Sequence, residues 1–568
     1  MSSMNKEGPE GFYIIVMKNG KEAWRISCPA DLNLLEAMRE HGIRLASACG
    51  GSGYCGKCRI RLLKGSVKSG LVGRSSKTNS QEGNIFTEDE IRQGWLLACR
   101  VYPSDNCVIE LATDEEDFEV IADYRAVDLP KQSRQPYMNR QSENEPAALK
   151  PAGSPQNTDS YAVKRPDGEN SYAIAVDIGT STVVQSLIRI EDGMTLATYS
   201  AVNPQRAYGA DVIARLQMAG SGRMELLQKL IKGELLRGIR DMAERAGIDT
   251  GIISRMAIAC NTTMGHILLG YSCEGLGKYP YTPVNISKVE LPFIQLFDSD
   301  YLDASVTVLP GISTFVGGDI VAGLLACNFD KADKPCLFID LGTNGELALG
   351  NKERLLVSSA AAGPAFEGGN ISCGMPSVAG AICNIEIANG KTLYRTIGDK
   401  EAAGLCGTGI VELVSELLDA GIIDETGLLT ENYFLAGFPI KGQAGSVLYF
   451  TQRDIRHLQM AKAAIRAGID ILLKEYGIGY DDIDKVYLAG GFGYMLNLKK
   501  AVNIGLLPKE VLSRIYPVGN SALGGAISYL RDKDAPVRIE KILKSAAELA
   551  LAQQEDFNSL YPEYMYFR

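Results

Sequence analysis

The chain has 568 residues, 46% hydrophobic and 22% charged, with a formal net charge of −10. That is the profile of an ordinary globular protein of two to four domains, and its acidity argues against nucleic acid or an anionic membrane surface as the main partner. No apolar run approaches bilayer length and MSSMNKEGPEG has no secretory core, so the expected location is cytoplasmic, with no membrane partner. Thirteen cysteines suit a reducing compartment better than a disulfide framework, and three histidines leave little for histidine chemistry.

The first hundred residues read as a small β-grasp domain, placed at 1–122. GFYIIVM and AWRISC are strand-like, and Asn33 to Gly42 has helical periodicity with Leu34, Leu35 and Met38 inward. CRIRLL is a further strand, a helix is expected from Thr87 to Gln93 with Thr87 and Glu90 as a capping box, and Asn106 to Leu111 closes the sheet. Cys49, Cys55 and Cys58 sit in ACGGSGYCGKC, and Cys99 follows in WLLACR. Three close thiolates in a glycine-rich loop plus a distant fourth are what a [2Fe–2S] cluster requires, because glycine lets backbone approach the sulfides. Zinc sites favour paired CxxC motifs or histidine partners, and neither is near the loop. Cys107 is the rival fourth ligand. Gly51, Gly53 and Gly56 match GxGxxG and Gly51 to Lys57 match GxxxxGK, but neither lies at a strand-to-helix switch, so both are rejected as phosphate motifs. The order of elements resembles the two-iron ferredoxin fold, and the loop spacing resembles the ferredoxins that serve hydroxylases.

Residues 123–170 are rich in Pro, Gln, Ser and Asn and poor in apolar side chains, and read as a flexible linker. Beyond it, strands and helices alternate, with a first lobe expected at 171–334, a second at 335–532 and a helical tail at 533–568. SYAIAVDIGTSTVV and PCLFIDLGTNGELALG share D-[IL]-G-T, at Asp177–Thr180 and Asp340–Thr343, 163 positions apart. Each is an apolar strand, a tight turn and a second strand. Backbone N–H groups and hydroxyls of such turns hold phosphate, and the Asp reaches Mg²⁺ directly or through water. Asp177 and Asp340 are therefore candidate catalytic residues. Gly179, Thr180, Ser181, Gly342, Thr343, Asn344 and Gly345 are candidate phosphate contacts. Gly490 and Gly491, in VYLAGGFGYMLN, would let a nucleoside lie against backbone. Asp319, in FVGGDIVAGLLA, either orients an attacking water or caps the helix IVAGLLA. GLCGTGIVELV and SALGGAISYL look like helices packed closely between lobes.

The order phosphate turn, phosphate turn, glycine-rich nucleoside turn resembles the actin, sugar-kinase and chaperone ATPase (ASKHA) superfamily, whose two α/β lobes close on ATP. A two-iron ferredoxin domain joined to such an ATPase resembles the ATP-dependent reductive activators of corrinoid proteins found with methyltransferases of anaerobes. The runs carrying the resemblance include ACGGSGYCGKCRI, AVDIGTSTVV, CNTTMGHILLG, GGDIVAGLL, FIDLGTNGE, SSAAAGPAFEGG, GLCGTGI and LAGGFG. The resemblance implies reduction of cob(II)alamin to cob(I)alamin on a corrinoid partner, through the cluster, with ATP and Mg²⁺ as cofactors and an unidentified low-potential donor. It implies homodimerisation only by analogy. A plant-type cluster sits near about −400 mV. Coupling between two sites of about 1–3 kcal/mol is worth roughly 40–130 mV for one electron, enough for ATP to bias the corrinoid's state. Other readings are an activator of radical dehydratases, which lacks a ferredoxin domain, a redox-sensing chaperone-like protein, and a kinase, for which no acceptor pocket is suggested.

Overall fold

The computed structural model describes residues 11–41, 43, 45, 58–69, 86, 88–111, 172–442 and 447–567, except positions 19, 210, 343 and 389. Cys49, Cys55, Thr343, Thr87, both rejected phosphate motifs and the expected linker at 123–170 lie outside the described residues.

The N-terminal unit contains β1 (Gly11–Lys18), β2 (Lys21–Pro29), α1 (Leu34–Glu40), β3 (Arg59–Lys64), β4 (Val67–Ser69), α2 (Glu88–Arg92), β5 (Trp95–Leu97), β6 (Val101–Pro103) and β7 (Cys107–Leu111). Its sheet runs β2-β1-β7-β3-β5, with β1 and β7 parallel, the mixed pairing of a β-grasp. Alternate residues of β7 are buried, and Ile14, Val16, Leu34, Leu35, Met38, Ile60 and Ile109 form one core, as the period-two and helical patterns require. Asn33 starts α1 by accepting the Glu36 N–H at 2.9 Å. Glu90 accepts a hydrogen bond from Arg59, tying α2 to β3.

A second unit has β8 (Tyr172–Ile178), β9 (Thr182–Arg189), β10 (Thr195–Val202), α3 (Val212–Met218), α4 (Met224–Ala246), β11 (Ile253–Cys260), α5 (Thr262–Leu269), β12 (Val289–Pro292), α6 (Phe293–Phe297), β13 (Ser305–Val308) and α7 (Gly318–Ala326). Its sheet is ordered β10-β9-β8-β11-β13-β12. The third contains β14 (Cys336–Leu341), β15 (Gly345–Gly350), β16 (Leu355–Ala360), β17 (Ala381–Ala388), β18 (Lys391–Thr396), β19 (Gly404–Leu405), α8 (Gly407–Asp419), α9 (Glu431–Phe434), β20 (Phe438–Lys441), β21 (Val447–Phe450) and α10 (Gln452–Tyr476). It continues with β22 (Lys485–Ala489), α11 (Gly490–Met495), α12 (Leu498–Asn503), β23 (Ile515–Gly519), α13 (Ser521–Arg531), α14 (Ala535–Ser545), β24 (Ala546–Glu548) and α15 (Phe557–Glu563). The sheet order is β23-β22-β14-β15-β16-β24.

The two large sheets repeat one plan. In each, an antiparallel hairpin (β8–β9, β14–β15) extends to a third antiparallel strand, and its first strand pairs in parallel with β11 or β22 on the other side. The two D-[IL]-G-T turns are the tips of those equivalent hairpins. Helices α7 and α13 lie between the sheets in a shared core with Ala175 and Ala259 of one and Phe338 and Val357 of the other. A methyl group at Gly525 would stand 2.0 Å from the Ala322 carbonyl oxygen, so glycine sets how closely these helices approach.

The expected helical tail is only partly helical. ILKSAAELALAQ leaves the helix at Ser545, and Ala546–Glu548 add a strand parallel to β16 before α15 packs on α10. Among the described residues no helix is long and apolar enough to cross a membrane.

Candidate functional site

Two of the four expected cluster ligands come together. Cys58, entering β3, and Cys99, in the short turn after β5, are buried with sulfurs 3.2 Å apart, well beyond a disulfide bond. Two buried, neighbouring thiols are a donor pair of the kind a [2Fe–2S] cluster takes. Cys99 lies in the 3₁₀ turn Ala98–Arg100. Cys107 stands apart on β7, its thiol donating to the carbonyls of Ser66 and Asp105 at 3.2 and 3.1 Å. Burial raises its pKa, which disfavours the thiolate a metal needs.

The first D-[IL]-G-T turn, a candidate phosphate turn, is held from behind. Asn203 Nδ2 donates to the Gly179 carbonyl at 2.8 Å, its backbone N–H donates to the Ser181 carbonyl at 2.9 Å, and Arg215 Nη2 donates to the Thr180 carbonyl. In a planar trans peptide the N–H points opposite to the C=O, so tying back the carbonyls of 179 and 180 turns the N–H groups of Thr180 and Ser181 the other way. Asn261, which caps α5, donates to Thr180 Oγ1 at 3.0 Å and leaves that hydroxyl its own proton to give. None of these supporting residues carries a sequence motif; Asn261 lies in CNTTMGHILLG, a run noted only for its resemblance.

Three carboxylates converge across the lobes. Asp177 and Asp340 are the penultimate residues of β8 and β14, and Asp319 sits in the first turn of α7. Burial pushes Asp340 up to about 7, with the charges of Asp319 and Asp177 adding to it. Burial likewise lifts Asp177 to about 7, against a 2.9 Å hydrogen bond from Asn520 Nδ2 and with Asp319 reinforcing the rise. Asp319 is raised to about 6 by burial, opposed by the Ile320 N–H. Glu346, half-buried on β15, is raised well above its usual range, chiefly by desolvation and then by Asp319 and Asp340. Such mutual repulsion is what a divalent cation relieves, and the donor set fits Mg²⁺. Among the described residues no three acidic, histidine or cysteine groups form a ready-made metal cage, in keeping with an ion held by one or two carboxylates, water and phosphate. The N-cap reading of Asp319 is corrected: Gly317 occupies the cap, and Asp319 turns inward beside the other two acids.

The second phosphate turn and the glycine-rich turn meet at Asp340. The Gly342 N–H closes its turn on the Asn344 carbonyl at 3.0 Å. Gly490 has φ +82° and a methyl there would lie 2.7 Å from Asp340 Oδ1, so only glycine serves. Gly345 has a packing role: its missing side chain makes room for Ile465 of α10. An unforeseen element is the 3₁₀ turn Pro364–Glu367. Glu367 accepts the Ser181 hydroxyl hydrogen bond at 3.0 Å from across the cleft, and Phe366 stacks on Phe492 of the glycine-rich turn at 5.0 Å. GPAFEGG lies in a run noted only for its resemblance, and no motif marked Glu367 or Phe366. Asn520, at the N-cap of α13, was legible only as a helix start.

A ferredoxin-type [2Fe–2S] domain followed by an actin-like ATPase of two related α/β lobes defines the class. Models of known families match accordingly: a 2Fe-2S iron-sulfur cluster binding domain over residues 16–104, the RACo middle region over 172–332, and the C-terminal domain of RACo, the ASKHA domain, over 334–568. The chain is 35% identical over 412 residues to the corrinoid activation enzyme RamQ of Eubacterium limosum, covering 69% of each. It is 27% identical over 424 residues to the [Co(II) methylated amine-specific corrinoid protein] reductase of Methanosarcina barkeri, covering 69% of this chain and 76% of that one. A solved reductive activator for corrinoid, iron-sulfur protein superposes with a TM-score of 0.64 at 27% identity over 98% of both chains. The protein belongs to the RACo family of reductive activators of corrinoid proteins.

Proposed function

We propose that this protein reduces the cob(II)alamin of a partner corrinoid protein to cob(I)alamin, in an ATP-dependent step serving a methyltransferase system. The observation that carries the reading is the joining, in one chain, of the buried Cys58–Cys99 pair and the cleft where Asp177, Asp319 and Asp340 face two phosphate turns. Cys49, Cys55, Cys58 and Cys99 would hold the cluster, which stores one electron at low potential when bound. Asp177 and Asp340 would hold Mg²⁺, which neutralises charge on the phosphates. Thr180, Ser181, Gly342, Thr343 and Asn344 would contact the phosphates, with Gly490 and Gly491 at the nucleoside. Asp319 would accept a hydrogen bond from the water that attacks phosphorus.

The same reading divides the chain into a ferredoxin domain (1–122), a linker (123–170), two ATPase lobes (171–334 and 335–532) and a tail (533–568). A low-potential protein donor feeds the cluster, and the location is the cytoplasm. The test is to purify Asp177→Ala and Asp340→Ala. Each retains the visible spectrum of the reduced and oxidised cluster but loses ATP hydrolysis and corrinoid reduction together. Corrinoid reduction at the wild-type rate without hydrolysis would remove ATP from the account.

A further inference from the structure

We propose that Arg215 is a positioning residue for the polyphosphate of the bound nucleotide, a buried cation whose counter-ion is the phosphate chain. The proposal rests on the reading that the Asp177–Ser181 turn binds phosphate, and adds a residue that no motif marks. Arg215 lies on α3 and is fully buried. All its hydrogen-bond partners are neutral: the carbonyls of Thr180 and Gly209 (3.0 Å for the latter), Gln205 Oε1 at 3.4 Å and Met264 Sδ at 3.0 Å. No carboxylate of the described residues is within ion-pair distance of it. Asp211 and Glu367 act on it only through space, and the nearby Arg206 repels it.

A buried charge without an opposite charge in contact is costly, and proteins keep one where a ligand supplies the balance. The one part of the cleft it grips is the Thr180 carbonyl, the bond that turns the Ser181 N–H outward. From across the cleft the Glu367 carboxylate reaches that turn, accepting the Ser181 hydroxyl at 3.0 Å. An anionic group is already drawn to the position, and phosphate competes for the same hydroxyl. The second phosphate turn has no such arginine among the described contacts, so the two turns are unequal, and the first holds the more negative end of the ligand.

The experiment measures ATP, ADP and AMP affinities with Mg²⁺, by calorimetry, for the full-length protein and for Arg215→Gln and Arg215→Lys, with thermal unfolding as the check on folding. The expected result for Arg215→Gln is ATP binding weakened about 10- to 100-fold, with progressively smaller losses for ADP and AMP, as loss of a charge close to phosphate predicts. Arg215→Lys keeps the charge but not the fork on Thr180, and its ATP-to-AMP preference falls about three- to tenfold. A wild-type ATP-to-AMP preference in either folded variant overturns the proposal, as does an equal loss for all three nucleotides, which would mark a purely architectural arginine. If Arg215→Gln does not fold, Arg215→Lys alone decides by the same criterion. Failure of the wild-type protein to bind ATP would instead overturn the nucleotide reading itself.

Discussion

Neutralising Asp340 should stabilise the metal-free protein while disabling it. Asp340 accepts no hydrogen bond that its removal would leave unmet among the described contacts, and it faces the charges of Asp319 and Asp177. Its carboxyl is raised from 3.8 to about 7 in the folded state. A folded pKa above the unfolded one means the native state binds the proton more tightly. The favourable neutral form is therefore fully present below about pH 4 and lost as pH rises to about 7. Three units at about 1.4 kcal/mol each set a ceiling near 4 kcal/mol. The three acids titrate as a coupled set, so a single replacement recovers about 1–3 kcal/mol. At roughly 2–3 °C per kcal/mol, Asp340→Asn should melt about 2–9 °C above wild type at pH 8.5 without Mg²⁺. The gap should narrow at pH 5 and close only towards pH 4, and Mg²⁺–ATP should raise the melting temperature of wild type alone. Differential scanning calorimetry at the two pH values, with and without Mg²⁺–ATP, is the assay. An Asp340→Asn protein that melts below wild type at pH 8.5 without metal would refute the claim that these carboxylates repel one another in the empty cleft.

Other consequences follow from particular contacts. Cys58→Ser and Cys99→Ser should abolish or strongly perturb the [2Fe–2S] absorption and electron paramagnetic resonance signals, whereas Cys107→Ser, whose thiol only bonds carbonyls, should leave them unchanged; the reverse pattern would break the ligand assignment. Asn520→Ala removes both the N-cap of α13 and the hydrogen bond to Asp177. About 1 kcal/mol of stability and about tenfold in ATP turnover should be lost, and turnover at the wild-type rate would show that Asp177 needs no such support. Gly525→Ala drives a methyl against the Ala322 carbonyl, and should cost about 1–3 kcal/mol or more in chemical denaturation; a neutral substitution would mean the α7–α13 contact is looser than described.

The sequence made the hairpins legible because each has an apolar strand running into Asp-[Ile/Leu]-Gly-Thr, a local pattern that buried strands and tight turns impose. The repeat of that pattern reads as strand, turn and second strand in both copies, and the strand pairing has an antiparallel hairpin at each. The supports of the site were not legible. Asn203, Arg215 and Asn261 reach the first turn from later elements, and Glu367 and Asn520 reach it from the other lobe. Contacts over such separations arise only when the sheets are assembled, and polar residues in loops and helix caps look alike before that. Gly345 carries a second constraint that its place in the motif does not reveal: the space its missing side chain leaves is filled by Ile465. The strand Ala546–Glu548 was hidden because three residues are too few for alternation to show.

The central claim is that ATP turnover in this cleft governs electron delivery to cobalt. It is tested most directly by mixing the anaerobic, pre-reduced protein with a corrinoid protein held as cob(II)alamin and following the visible spectrum. The account predicts that cob(I)alamin accumulates with Mg²⁺–ATP, that it does not with ADP or without nucleotide, and that Cys58→Ser and Asp177→Ala each abolish it. Equal accumulation of cob(I)alamin with and without ATP would contradict it.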